Sequence, residues 1–308
     1  MAVHDVFDAA FKRLMALSDT IIITTINALF DRNFPPTATV TRLATEHVDH
    51  NGDKRFADMI IDIDHHHFLV EAQLHNDKDM AVRVWDYSVT HARVTHHPDD
   101  DIPEVAFPQI RVIYLESLKA PDRLSLRVRF PDDSTHVFAV DTVKLARYTL
   151  EDLDRAGLEL LSPFLMTRQR HQARQADHTR RLVLVDQLRH SLTQRMTILD
   201  HEVASGRMTQ ADVEEIVEIT DMLIRNTYEA HIDEFKEASL MDTLLMTRSE
   251  IARQEGRQEG RQEGQEESER RIARNGLLMG LGVDKVVELT SLTRAEVEAI
   301  NATLGRPR

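Results

Sequence analysis

Apolar residues recur at helical spacing from residue 5 to residue 31, with Phe7, Phe11, Leu14, Ile21, Ile22 and Leu29 on the repeating positions. Pro35 and Pro36 close that segment. The period then shortens to two. Ala38–Ala44 is rich in β-formers and predicts a first strand, residues 56–63 (FADMIIDI) a second, residues 64–67 a turn, and residues 68–74 (FLVEAQL) the returning strand of a hairpin. Helical spacing returns over residues 80–89. Residues 109–115 (QIRVIYL) then read as an inner strand, and residues 124–130 (LSLRVRF) as a strand paired with residues 135–140 (THVFAV) across a Pro131–Ser134 turn. Helix, strand, hairpin, helix and strand in this order predict an α/β domain over residues 1–150, a mixed sheet flanked by helices.

From residue 151 to 250 no strand-like alternation persists, which predicts an all-helical region, a bundle or a dimerisation arm. Thr209, followed by Asp212, Glu214 and Glu215, has the makings of a helix start, and Gly206 marks the break before it. Three tandem Arg-Gln-Glu-Gly units, Arg253–Gly264, carry no apolar stripe and read as the heart of a linker over residues 251–270. Residues 271–308 read as a short helical pair, with Thr293 and Glu296 forming a capping box. That pair resembles a helix-turn-helix, but two short helices normally need a third to close a core, which favours a pair used for packing or oligomerisation.

Composition narrows the classes. In 308 residues there is no cysteine, which removes disulfides and thiolate metal sites and fits a reducing, cytoplasmic setting. No apolar run reaches the length of a membrane span, and the start of the chain lacks a signal-peptide pattern. The formal net charge of -14 opposes tight nucleic-acid binding by the chain as a whole. Two basic groups run against it, Arg168, Arg170, Arg174, Arg180 and Arg181 with His171 and His178, and Arg123, Arg127 and Arg129. Either could form a basic strip or a solvated face balanced by nearby acids.

The hairpin carries the candidate chemistry. In its second strand the period of two sends Leu69, Glu71 and Gln73 to one face and Phe68, Val70, Ala72 and Leu74 to the other, while Asp58 sits at the start of the first strand. Two carboxylates and an amide on one side of a sheet suit a hard divalent cation completed by water and phosphate oxygens. The same acids, with Asp62 and Asp64, also fit an ordinary polar face and turn. His65, His66 and His67 splay to different sides of a turn and read as structural rather than ligating. The acidic loop from His96 to Asp101 reads as a weak, nonspecific cation binder at most. Nucleophile-elbow, nucleotide-fingerprint and thiol motifs are missing.

Residues 5–12 (DVFDAAFK), 54–58 (KRFAD), 70–73 (VEAQ) and 83–87 (RVWDY), in that order, resemble the PD-(D/E)XK nuclease family of transposases, also called recombination-promoting nucleases. The glycine-glutamate-arginine repeats, residues 273–282 (ARNGLLMGLG) and residues 289–297 (LTSLTRAEV) are similar to the C-terminal segment of that family. The resemblance implies a restriction-endonuclease-like fold and a Mg²⁺-dependent (or Mn²⁺-dependent) endonuclease acting on DNA in recombination or transposition. It implies that Asp58 and Glu71 are metal ligands and catalytic, with Gln73 in the place of the usual lysine. Asp8 would be an accessory acid, and Arg83 and Tyr87 supporting or phosphate-facing groups; an arginine packed on an aromatic fits that last pair equally. The alternative is a catalytically silent relative that binds DNA or protein and forms a homo-oligomer through its helical half, a reading favoured by the acidic charge and by Gln73.

Overall fold

The computed structural model of the protein describes residues 3–43, 46–48, 54–56, 58–95, 104–238, 240 and 268–304. The Arg-Gln-Glu-Gly repeats and the His96–Asp101 loop lie outside the described residues. The architecture is mixed α/β, with a six-stranded mixed sheet and a mostly helical C-terminal region.

The expected first helix is two. Helices α1 (Val3–Leu14) and α2 (Asp19–Phe30) meet at a bend of 107°. Apolar periodicity runs through the break because both helices are buried, so it could not reveal it. Ser18 fixes the break by donating from its backbone N–H and its hydroxyl to the Asp212 carboxylate, at 2.8 and 2.6 Å. α2 ends at Asp31, in the left-handed region at φ 52°, ahead of the prolines; Asn27 secures the exit through two bonds to the Phe34 backbone. Among the described residues no single helix is long and apolar enough to cross a membrane.

Strands β1 (Val40–Arg42), β4 (Met59–Ile63), β5 (His66–Gln73), β6 (Gln109–Tyr114), β7 (Arg123–Arg129) and β8 (Thr135–Lys144) form the sheet in the order β1-β4-β5-β6-β8-β7. β1, β4 and β5 are an antiparallel meander, β5-β6 and β6-β8 are parallel, and β7 closes the far edge as the antiparallel hairpin partner of β8. Strands β2 (Glu46–Val48) and β3 (Lys54–Phe56) form a separate ribbon, so Phe56 does not extend β4. Helix α3 (Met80–Thr95) lies on one face, where Met80, Val84 and Tyr87 pack on Ile60, Leu69 and Val112. α2 lies on the other, with Phe30 and Phe34 against Phe68.

Helices α4 (Leu150–Ala156), α5 (Ser162–Leu165), α6 (Arg170–Gln175), α7 (His178–Ala204), α8 (Gln210–Ile224) and α9 (Asp233–Glu237) follow. Thr209 caps α8 in a reciprocal box with Asp212, and Gly206, at φ 73°, follows the end of α7. Residues 1–244 are one compact unit, in which the helices after residue 150 pack with the sheet and its flanking helices. The physical reason is α1. Its Phe7 and Phe11 rings pack on Phe164 of α5, and its Arg13 bonds Glu215 and Glu218 of α8 at 2.7 and 3.1 Å.

One buried group in this bundle stands against the usual rules. Arg195 of α7 is 2% exposed and donates to Ser162 and Thr220 hydroxyls, and no carboxylate contact offsets it among the described residues. Burial pulls its guanidinium down to about 9. A methionine of similar volume removes the desolvated charge, so Arg195→Met is expected to stabilise the fold by about 1–2 kcal/mol. Thermal unfolding checks this, with an expected rise of roughly 2–6 °C.

The second unit, residues 245–308, has described helices at 268–278 (α10), Val283–Leu289 (α11) and Arg294–Leu304 (α12). Three helices stand where a pair was expected, because two short ones leave a core open: Ala273, Val286, Leu292 and Val297 close it from all three. Gly276 permits the approach, since a Cβ there would lie 3.3 Å from Val286. Thr293 and Glu296 make the expected cap of α12.

Candidate functional site

The β4–β5 hairpin turns on two residues, not four. Asp64 and His65 both take positive φ, 48° and 67°, as a tight two-residue turn requires, and His66 and His67 belong to β5. The register Met59↔Val70 leaves Asp58 one residue beyond the ladder, in a bend rather than in the strand expected from residue 56. There its carboxylate replaces ladder bonding. Asp58 Oδ2 accepts from the Ala72 N–H at 2.7 Å, and the Asp58 N–H donates to Glu71 Oε2 at 3.1 Å. Each acid is thus held by the other's strand.

Glu71 is 1% exposed, so it is not part of a solvated polar face. β5 is an inner strand between β4 and β6, and α3 covers the face on which Leu69 and Glu71 lie. Gln73 is half-buried beside it, its amide donating to Glu71 Oε1 at 3.5 Å. Burial raises the Glu71 carboxyl to about 8, and the neighbouring Asp58 adds to the rise. Burial likewise raises Asp58 to about 6, against the lowering effect of the Ala72 N–H. Two acids deprived of water and set side by side resist ionising together.

The remaining expected residues gather around them. Arg83, on α3, donates to Glu71 Oε1 at 2.7 Å and to Asp77 at 3.1 Å, and hydrogen-bonds the Tyr87 hydroxyl. Tyr87 is buried, and burial followed by the Glu71 charge raises its hydroxyl. Arg83 therefore clamps the acid, with Tyr87 behind it. From α1, the charge of Asp8 raises Asp58 further. A cavity of about 240 Å³ opens here, lined by Asp8, Lys12, Asp58, Gln73 and Arg83 among others. Asp8 and Asp58 line it with their carboxylates, and Glu71 lies behind Asp58.

Lys12 was missed from the sequence. It bonds Asp8 at 2.9 Å and its charge lowers Asp58, so it brings an ammonium to the cavity that Gln73 cannot supply. The signal was present in the spacing: Asp8 and Lys12 are four apart and share a helix face.

The other constellations are placed by their contacts. Asp62 accepts from the His65 N–H and pairs with His67, and Asp64 accepts from the Thr39 N–H, so both acids serve the hairpin. His67 also bonds His91, which is 6% exposed, at 2.8 Å. Asp154, Glu159 and Glu202 bring oxygens within 4.8 Å of one another, with Arg207 paired to Glu202. Burial raises Glu159 to about 7. Of the two arginine groups, Arg170 is tied to Glu116, Arg181 and His178 to Glu234, and Arg123 to Asp141.

Comparison with protein-family models, with curated proteins and with solved structures returns no match.

Proposed function

We propose that the protein is a divalent-cation-dependent DNA endonuclease of the PD-(D/E)XK type, with a restriction-endonuclease-like core. The succession helix, three-strand meander, helix and parallel strand supports the fold reading. The observation that carries the function is Asp58, half-buried at the wall of an open cavity, held by reciprocal backbone bonds against the buried Glu71 behind it. An all-oxygen donor set of this kind fits Mg²⁺ or Mn²⁺. Asp58 and Glu71 would hold the ion, with Asp8 beside them. When bound, the ion supplies Lewis-acid charge next to a phosphodiester.

The chain's own groups perform the rest. Arg83 keeps Glu71 Oε1 in place, Gln73 presents its amide to orient water, and Lys12 presents a positive charge toward the developing phosphate charge. Lys12→Ala is expected to lower the cleavage rate about 10²-fold, and Lys12→Arg to recover part of it, read from initial rates on an oligonucleotide duplex.

The alternative, a silent DNA- or protein-binding relative, is favoured by the acidic charge, by Gln73 and by the Arg83 guanidinium already seated on Glu71. Conversion of supercoiled plasmid to nicked or linear DNA with Mg²⁺, and none with EDTA, supports the nuclease. No conversion with Mg²⁺ or Mn²⁺ supports the silent relative.

A further inference from the structure

We infer that the groove between the segment 74–77 after β5 and helix α6 holds a backbone phosphate of the DNA strand, next to the phosphodiester presented to Asp58 and Glu71. This rests on the nuclease reading above and adds the substrate-holding surface to it. The groove has a volume of about 410 Å³ and is walled in part by Asn76, Asp77, Arg170, His171 and Arg174. It shares Gln73 and Leu74 with the carboxylate cavity, so one strand of nucleic acid can pass from one into the other.

Its charge is opposite to that of its neighbour. Arg170 is 2% exposed, fixed by Glu116 at 2.6 Å and seated over the Phe7 ring at 5.0 Å, while its Nε has no hydrogen-bond partner among the described residues. Arg174, four residues on, is exposed. His171 lies 3.5 Å from Glu116 and is otherwise open to solvent. Asp77 is the one carboxylate among the described lining residues, and both of its oxygens are taken, by Arg83 at 3.1 Å and by the Asp79 N–H at 2.9 Å. The groove therefore presents an extendable arginine and an imidazole, with the Nε edge of the Glu116-paired Arg170 behind them and its one lining acid already bonded. Phosphodiester oxygens match that set. A chain of net charge -14 needs such a local concentration of positive groups to hold DNA at all.

The test uses the full chain and a fluorescein-labelled DNA duplex in EDTA, with anisotropy followed over a salt series. Arg174 is exposed, so its variants do not disturb the core. Arg174→Ala is expected to weaken binding about 5–10-fold and reduce the slope of log K against log salt by about one, and Arg174→Lys to restore most of both. Arg174→Ala and Arg174→Glu binding with wild-type affinity and slope would overturn the proposal, as would a wild-type chain that does not bind. Cleavage in Mg²⁺, run in parallel, separates the two ideas. Arg174-dependent binding without any cleavage removes the nuclease and leaves the groove; cleavage with Arg174-independent binding does the reverse.

Discussion

Replacing Asp58 with asparagine is expected to lower cation-dependent DNA cleavage about 10³-fold or more, equivalent to roughly 4 kcal/mol of transition-state stabilisation. Asparagine keeps the size and can still accept the Ala72 N–H through its amide oxygen, so the bend before β4 survives. What disappears is the charge that would hold the ion. Glu71→Gln is expected to act alike, because Glu71 sits against both Asp58 and Arg83. Neither variant should unfold: each removes an acid whose ionised form burial already disfavours. Quantified cleavage of a labelled duplex, with circular dichroism on the same samples, checks both halves. Cleavage by Asp58→Asn at the wild-type rate would remove this residue from the chemistry.

The second large effect is on stability against pH in the absence of divalent ions. Burial raises Asp58 and Glu71 to about 6 and about 8, above their ordinary values of 3.8 and 4.5. Between those limits the folded chain binds more protons than the unfolded one, so stability falls as pH rises. The loss begins above about pH 4 and is complete above about pH 8, the opposite of a salt-bridged aspartate. For the pair the loss is a few kcal/mol from pH 5 to pH 8, read as a fall of several degrees in the melting temperature. Glu159, raised to about 7 by burial, contributes the same sign over the same window. The site is therefore read as the difference between wild type and Glu71→Gln, whose melting temperature should vary less with pH. Equal pH slopes for the two proteins would contradict the raised value at Glu71.

Much of the hairpin was legible because a period of two leaves little freedom: once residues 68–74 are a strand, Leu69, Glu71 and Gln73 share a face. Its ends were not legible. Asp58 leaves the ladder because a carboxylate can take the Ala72 N–H that a strand neighbour would otherwise take, a competition invisible to periodicity. The burial of Glu71 was also hidden, since a glutamate in an alternating strand reads as a solvent-facing position until α3 is placed over it. Long-range ties account for the rest. The break between α1 and α2 is set by Asp212, far along the chain, and the packing of α1 on α5 and α8 makes the helical region part of the first unit. Helical periodicity predicts that a face is buried and is silent about what buries it. Lys12 entered the cavity by the same route.

Titration of the metal-free protein with Mn²⁺, followed by the loss of the free-ion paramagnetic resonance signal, tests the carboxylate pair without depending on substrate. At pH 8 the wild-type chain is expected to bind Mn²⁺ and to release it to excess Mg²⁺, while Asp58→Asn and Glu71→Gln each lose that binding. Mn²⁺ uptake that is unchanged in both variants, or absent from the wild type, would contradict a cation site at Asp58 and Glu71.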